Sequence, residues 1–182
     1  LIFRQVLTLK DGAKVLLRPL VRDDRQAIID LFAPVDMDER RYMRHDVHDP
    51  HVVGAWTDGL DYDRVLPVAA VVGERIAGIA SLHFLEGPFR HRAEVRMFLG
   101  KDLRGRGVGM RMLQALIDLA KRRNLCLLEI QLATDQTHYI RAFEKAGFSV
   151  KCTFEDWFMF PDGGLRDVAS LVMRLRTPGD EF

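Results

Sequence analysis

The sequence predicts a mixed α/β domain with a central, mostly antiparallel sheet that contains one parallel pair of strands and is flanked by helices. The predicted elements follow the order β, α, α, β, β, β, α, β, α, β, β, in which most strands succeed one another through short turns. At one step a glycine-rich turn and an amphipathic helix separate two strands, which is the pattern of a parallel crossover. With 182 residues, of which 48% are hydrophobic and 29% charged, the chain can bury a substantial core.

Turn and cap residues mark the first elements. Asp11-Gly12 is a turn signal between two short strand pieces, and the second piece, Ala13–Arg18, ends at Pro19. Asp23 or Asp24 can cap the helix that follows. The core face of this helix carries three apolar residues at helical spacing, Ile28, Leu31 and Phe32.

Two short helices and a hairpin come next. They are predicted over Met37–Arg44, Val52–Leu60, Arg64–Val72 and Arg75–Phe84. We expect Pro50 to separate the two helices, and Gly73-Glu74 to form the turn of the hairpin. Gly78, inside the second strand of the hairpin, indicates a bulge or a close approach of another backbone.

The rest of the chain alternates strands and helices before a final hairpin. The predicted elements are the strand Ala93–Leu99, the helix Val108–Arg123, the strand Leu125–Ala133, the helix Thr137–Ala146, and the strands Phe148–Phe160 and Leu165–Leu175. Pro161-Asp162-Gly163-Gly164 is a strong turn signal between the last two strands. We expect residues 1–176 to form one domain and residues 177–182 to be a frayed tail.

The glycine-rich turn has the features of an anion-binding loop. Gly105, Gly107 and Gly109 lack side chains that would keep an anion away, and the helix that follows presents unpaired N–H groups and a positive dipole end. Arg104 and Arg106 add positive charge beside them. An ordinary glycine-rich turn between a strand and a helix is the alternative. The spacing is neither that of a P-loop, because no Lys-Ser/Thr follows, nor that of a dinucleotide-binding fingerprint.

The same loop resembles the acetyl-CoA pyrophosphate loop of the GCN5-related N-acetyltransferases (GNAT). The family pattern Arg/Gln-x-x-Gly-x-Gly/Ala is met as Arg104-x-x-Gly107-x-Gly109. Met97-Phe98-Leu99 resembles the apolar strand end of the family, and Glu144-Lys145-Ala146-Gly147-Phe148 resembles the end of its next helix. The resemblance implies the GNAT fold, in which the parallel pair of strands splays apart around the pantetheine arm of the cofactor.

The opening of the chain resembles a narrower group within the family. Asp11-Gly12, Leu17-Arg18-Pro19-Leu20 and Asp23-Asp24 are similar to the start of the acetyltransferase domain of bacterial protein-lysine acetyltransferases. The resemblance implies that the acceptor is a primary amine, most simply a protein lysine, and that a regulatory domain may precede this one in a longer chain. Those enzymes are cytoplasmic, so the same location is expected here.

Acetyl-CoA is the co-substrate that the resemblance implies, with no metal. The backbone groups expected to hold its pyrophosphate belong to Gly105, Arg106, Gly107, Val108, Gly109 and Met110. Met97, Phe98 and Leu99 are expected to pair with the pantetheine arm as an added strand would. Gln136 stands where the family often has an asparagine that touches the cofactor, and its amide can make the same type of bond.

Glu94 is the candidate general base. A lysine with a pKa of about 10.4 is neutral in roughly one molecule in a few thousand at pH 7, so a group that removes its proton is useful. Several family members, including the protein-lysine acetyltransferases, have a catalytic glutamate at the place of Glu94. The alternative is a structural glutamate paired with Arg96 on the same strand face. His83 and His91 are further candidates for the base.

The general acid departs from the family pattern. Many relatives have a tyrosine that protonates the leaving thiolate at the place of Phe143, and phenylalanine cannot donate a proton. Tyr139, one helical turn earlier, can substitute for it. A thiol with a pKa of about 8.5 is also a tolerable leaving group without an acid.

Bulk properties exclude several function classes. A formal net charge of +1 gives no reason to expect a nucleic-acid or membrane surface, and the apolar runs are too short to span a bilayer. Cys126 and Cys152 are expected to be buried free thiols. His45, His48 and His51 recur at three-residue spacing, but a solvated loop is favoured there over a metal site.

Two other functions stay open at this stage. A small-molecule amine acetyltransferase has the same cofactor loop, and residues 36–60, which form much of the acceptor wall in the family, carry little transferable information. A non-catalytic acyl-CoA-binding regulatory module is the third reading, and Phe143 favours it slightly.

Overall fold

A computed structural model describes residues 3–176, which form eight strands and five helices. The strands are β1 Gln5–Thr8, β2 Lys14–Pro19, β3 Val65–Val72, β4 Arg75–Phe84, β5 Arg92–Leu99, β6 Leu127–Ala133, β7 Ser149–Met159 and β8 Leu165–Arg174. The helices are α1 Arg25–Phe32, α2 Met37–Arg40, α3 Pro50–Asp58, α4 Val108–Arg122 and α5 Thr137–Lys145. Most predicted boundaries lie within two residues of these.

The strands form one mixed sheet in the order β1-β2-β3-β4-β5-β6-β8-β7. β5 and β6 are parallel and are connected by α4, whereas β1–β2, β2–β3, β3–β4, β6–β8 and β7–β8 are antiparallel. The predicted α/β class, the mostly antiparallel sheet and the parallel crossover are therefore confirmed.

The described residues fall into two compact units. The first covers 3–83 and 96–116, and the second covers 84–95 and 117–176. β5 begins in the second unit and ends in the first. That the chain acts as one domain stays a prediction, and the tail predicted at 177–182 lies outside the described residues.

The core of the first unit is built around α1. Ile28, Leu31 and Phe32 are buried, as their helical spacing predicts. They belong to one apolar cluster with Val53 of α3 and Ala69 of β3. Fully burying such side chains contributes about 1.5–3 kcal/mol each, so this cluster is a major source of stability for the unit.

The helices around Pro50 differ from the prediction. α2 ends at Arg40 rather than Arg44, and α3 begins at Pro50 itself rather than at Val52. Proline suits the first position of a helix, because that position needs no N–H donor. Asp49 caps α3 by accepting a hydrogen bond from the His51 amide at 2.8 Å.

Gly78 combines the two features that were predicted for it as alternatives. The register of β3 and β4 shifts at Ala70/Val71, so a bulge lies beside Gly78. A Cβ atom on Gly78 would also lie 2.6 Å from Leu99 Cδ1 and 3.2 Å from the Phe98 carbonyl oxygen. The absence of a side chain therefore lets the end of β5 pass close to β4.

The second unit packs α5 on a sheet of β6, β8 and β7. Phe143 of α5 and Phe148 are buried with their rings edge to face, 5.2 Å between centroids. Leu128 of β6 and Leu171 of β8 are fully buried. Gly147 ends the helix with φ +103°, the conformation expected of a glycine after a helix.

The two cysteines are free thiols, as predicted, but their predicted burial is wrong. Cys126 is half-buried and Cys152 is exposed. Cys152 lies on β7, which is an edge strand exposed along most of its length. Apolar neighbours in the sequence did not reveal that this strand lies at the edge of the sheet.

Candidate functional site

The glycine-rich loop lies between β5 and α4 in the first unit. A single 3-10 turn, Lys101–Leu103, leads into it. Gly105 and Gly107 have φ of +71° and +80°, which residues with side chains rarely adopt. The first helical hydrogen bond of α4 runs from the Arg111 amide to the Gly107 carbonyl at 3.2 Å.

Helix geometry leaves amides at the start of α4 available. The first-turn amides of Val108, Gly109 and Met110 have no intrahelical acceptor. A Cβ atom built on Gly105 or Gly107 would meet nothing within 4 Å, so there is open space beside the loop. Free amides, a positive dipole end and open space together fit an anion such as a pyrophosphate.

Arg104 is bound by the protein on three sides. Its Nε donates to the Leu99 carbonyl at 2.8 Å, and its two terminal nitrogens donate to the two oxygens of Glu39, each at 2.8 Å. This bidentate hydrogen bond from Arg104 is the main reason that the pKa of Glu39 lies below its usual range. Arg104 thus connects the loop to α2.

Arg106 is also paired with an acid. It contacts the Asp11 carboxylate and donates to the Asp102 carbonyl at 3.3 Å. Both arginines that were predicted to add charge to the loop therefore face carboxylates in this structure. Any anion is left mainly to the backbone amides, and a direct cofactor contact by either guanidinium stays a prediction.

A second ion pair connects the loop to α2. Lys101 Nζ lies 2.7 Å from Asp36 Oδ2 and 3.6 Å from Glu39 Oε1. The hydrogen bond from Lys101 is the main cause that lowers the pKa of Asp36. Sequence reasoning missed Asp36 and Glu39. Their only signal was local, since Asp36 caps α2 by accepting from the Glu39 amide at 3.0 Å.

The end of β5 carries the residues predicted to meet the pantetheine arm. The parallel ladder of β5 with β6 covers only Arg92–Glu94, and β5 continues to Leu99. Met97, Phe98 and Leu99 are half-buried. The Phe98 ring packs on Phe32 at 4.8 Å between centroids, which fixes the strand end against the core of its unit.

Glu94 lies in the part of β5 that belongs to the second unit. Its neighbours Ala93 and Val95 are buried, whereas Glu94 is half-buried on the opposite strand face. Its register partner is Glu129 of β6, which pairs with Arg92 at 3.0 Å. Glu94 also has a partner of its own, so its surroundings are polar.

Gln136 and Phe143 lie in the second unit as well. The Gln136 side-chain oxygen accepts from the Ala133 amide at 3.2 Å, which leaves the Nε2 group as the donor for a cofactor. Phe143 is buried against Phe148. Tyr139 is exposed, and its ring lies edge to face with that of His138. Roles for these residues in the reaction stay predictions.

The histidines occupy varied surroundings. His83 is hydrogen-bonded to Ser81 at 3.0 Å, and His91 is exposed. His45 packs against Trp56, and burial, followed by Arg96 and Arg44, holds its pKa below the usual value. Within residues 3–176, no three His, Cys, Asp or Glu side chains are grouped to hold a metal ion.

Comparisons with known proteins agree with this architecture. A model of the acetyltransferase (GNAT) family matches residues 26–148. The GNAT domain of S. lividans PAT has a TM-score of 0.76 at 21% identity, with 94% of this chain and 96% of that chain covered. No curated protein matches the chain.

Two further solved structures share the fold. A spermidine N-acetyltransferase SpeG chimera from Vibrio cholerae and hSSAT has a TM-score of 0.70 at 15% identity, covering 88% of this chain and 95% of that one. The ribosomal-protein-S18-alanine N-acetyltransferase from Escherichia coli has a TM-score of 0.70 at 16% identity, covering 92% and 98%. At such identities the likeness concerns the fold. Over the described range, no helix is long and apolar enough to cross a membrane.

Proposed function

The chain belongs to the acetyltransferase (GNAT) family and is an acetyl-CoA-dependent N-acetyltransferase, and we propose that its acceptor is the side chain of a protein lysine. The opening of the chain carries this proposal, because residues 11–24 resemble the start of bacterial protein-lysine acetyltransferase domains. Asp11 of this opening contacts Arg106 of the glycine-rich loop, and Arg18 binds Asp24 at 2.6 and 2.7 Å. The presence of S. lividans PAT among the structures of the same fold agrees with it.

We propose that residues of the loop and of β5 hold acetyl-CoA. Backbone amides from Gly105 to Met110 would bind its pyrophosphate, since open space borders Gly105 and Gly107. Backbone groups of Met97–Leu99 would bind the pantetheine arm beyond the end of the parallel ladder. Gln136 would contribute its Nε2 donor. When bound, acetyl-CoA supplies the thioester from which the acetyl group is taken.

Glu94 is proposed to accept the proton of the incoming ammonium, directly or through a water molecule. Attack by the neutral amine forms the N–C bond while the C–S bond breaks, so no enzyme nucleophile is needed. Proximity of the two reactants supplies much of the rate enhancement. The thiolate then takes a proton, and Tyr139 is the proposed donor because Phe143 has none to give.

A small-molecule amine is the second candidate acceptor. The spermidine N-acetyltransferase chimera that shares this fold favours it. We further propose a cytoplasmic location, where free thiols such as Cys126 and Cys152 remain reduced.

Gly107→Glu tests the cofactor site, because it places bulk and negative charge in the loop. We expect acetyl-CoA binding, measured by calorimetry, to be lost in this variant. Gly73→Glu is the matched control, since Gly73 also has a positive φ, +61°, and open space around it but lies in the β3–β4 turn. Equal binding by both variants would contradict the loop assignment.

A panel of acceptors tests the lysine proposal. The enzyme with acetyl-CoA is incubated with lysine-containing peptides and with spermidine, and products are identified by mass spectrometry. We expect acetyl groups on lysine Nζ. Acetylation of spermidine alone would establish the second candidate, and acetyl-CoA binding without any product would indicate a binding module.

A further inference from the structure

The β7–β8 hairpin of the second unit carries an exposed apolar patch. We call Trp157, Met159 and Leu165 the hairpin surface. Met159 and Leu165 are direct cross-strand partners, and Trp157 lies two residues before Met159, so the three share one strand face. Their exposed fractions are 56%, 72% and 41%. Large apolar side chains this exposed and this close together indicate an interaction surface.

The hairpin surface is held in shape by a bulge. The register of β7 and β8 shifts between Phe154 and Phe158, and within this stretch Asp156 has φ +50°. The Asp156 amide donates to Asp167 Oδ1 at 3.0 Å. The bulge brings the Trp157 ring into a stack with the Phe154 ring, 4.8 Å between centroids and 26° between planes. A fixed aromatic ring loses little conformational entropy when a partner binds.

Acidic residues surround the hairpin surface. Residues 153–168 contain four acids, Glu155, Asp156, Asp162 and Asp167, and one base, Arg166. Arg166 is occupied, since it pairs with Asp135 at 3.4 Å and lies over the Phe160 ring at 4.9 Å. The charge of the hairpin therefore opposes the +1 of the whole chain and favours a basic partner.

The position of β7 adds backbone groups to this surface. β7 is the last strand in the sheet order and pairs with β8 alone within the part of the chain that is described. Its outer edge can thus accept an extended segment as a further strand.

We propose that the hairpin surface docks a basic, lysine-bearing segment of the acceptor protein. This inference rests on the proposed lysine acceptor and assigns it a docking region. Apolar residues and the aliphatic stems of lysine or arginine would pack on Met159 and Leu165. A cation can also lie over the exposed face of Trp157, while the carboxylates attract the remaining charges.

Calorimetry with a short blocked peptide of alternating Lys, Arg, Leu and Val residues tests the proposal. We expect wild type to bind it, more weakly at high salt, and not to bind a peptide in which Glu replaces the basic residues. The double variant Trp157→Ser/Met159→Ser should raise the dissociation constant about tenfold or more. Phe89→Ser is the matched control, because Phe89 is equally exposed, at 53%, but lies far along the chain from the hairpin.

Acetyl-CoA binding and circular dichroism show whether the double variant is folded. If it is not, Glu155→Gln/Asp156→Asn carries the test, since asparagine tolerates the positive φ of residue 156. An unaltered peptide affinity in the folded variant, or no binding by wild type, overturns the proposal. A wild-type dimer that the double variant dissociates, seen by light scattering, overturns it in favour of a second copy of the chain.

The same peptide separates this inference from the proposed function. Binding that depends on Trp157, without acetylation of the peptide or of any protein lysine, would remove the lysine acceptor and keep the docking surface. Acetylation with a KM unchanged by Trp157→Ser/Met159→Ser would keep the acceptor and remove the docking surface.

Discussion

Glu94 is the residue on which the chemical step is expected to depend most. It occupies the polar face of β5, between two buried neighbours that fix the strand. Replacement by glutamine keeps the shape and removes the base, so we expect Glu94→Gln to lower kcat about a hundredfold or more. The dissociation constant of acetyl-CoA should stay within about twofold of the wild-type value.

Initial rates with the accepted acceptor and calorimetry with acetyl-CoA measure the two effects. Glu74→Gln, in the exposed β3–β4 turn, serves as the control for loss of a carboxylate. A kcat equal to that of wild type in Glu94→Gln would leave Glu94 with a structural role only.

Asp24 is the acid whose charge matters most for stability. Burial by itself raises its pKa, but hydrogen bonds from Arg18 and from the Val21 amide lower it more, and the net pKa lies below the ordinary value. Asp24→Asn leaves Arg18 without its charged partner. We expect a loss of about 3 kcal/mol in the free energy of unfolding at pH 7.

The same contribution should depend on pH in one direction. Because the folded-state pKa of Asp24 is depressed, its stabilising effect is present above the unfolded-state pKa of about 3.9 and is lost as pH falls through the folded-state value. Urea unfolding from pH 7 to pH 3 should show the difference between wild type and Asp24→Asn shrink. Asp23→Asn, at the exposed neighbour, should show little difference at any pH.

Among the elements, α2 is the one most dependent on distant contacts. It is a single turn of four residues with no buried side chain, so its own hydrogen bonds hold it weakly. Glu39 connects it to Arg104 of the loop, 65 residues away. We expect Glu39→Gln to accelerate amide hydrogen exchange of residues 37–41 several-fold, because local opening then breaks fewer contacts.

Asp38→Asn is the matched change in the same helix. Asp38 is exposed and pairs only locally with Arg41, at 3.0 Å. Exchange in this variant should match wild type, since exposed pairs contribute little. Equal exchange in Glu39→Gln and Asp38→Asn would show that the contact with Arg104 does not hold α2.

At the scale of the whole molecule, binding of acetyl-CoA should stabilise the fold. A ligand at about 100 times its dissociation constant adds about 2.7 kcal/mol to the free energy of unfolding. For a chain of 182 residues this corresponds to a rise in Tm of about 5–10 °C. Differential scanning fluorimetry should show the rise in wild type and in Gly73→Glu, and no rise in Gly107→Glu.

The sequence by itself determined the class of the fold and the place of the cofactor loop. Both depend on local chemistry: hydrophobic periodicity, turn residues, and glycines that only a positive φ or a close approach requires, as at Gly105, Gly107 and Gly78. These signals lie within a few residues of the feature that they predict.

The tertiary structure alone decided which charges meet. Arg104 and Arg106 looked like anion ligands, yet Glu39 and Asp11 bind them from segments 65 and 95 residues away. It also decided that Cys152 and Trp157 are exposed, because only the sheet order makes β7 an edge strand. Electrostatic pairing and edge position depend on contacts between distant parts of the chain, for which local sequence carries no signal.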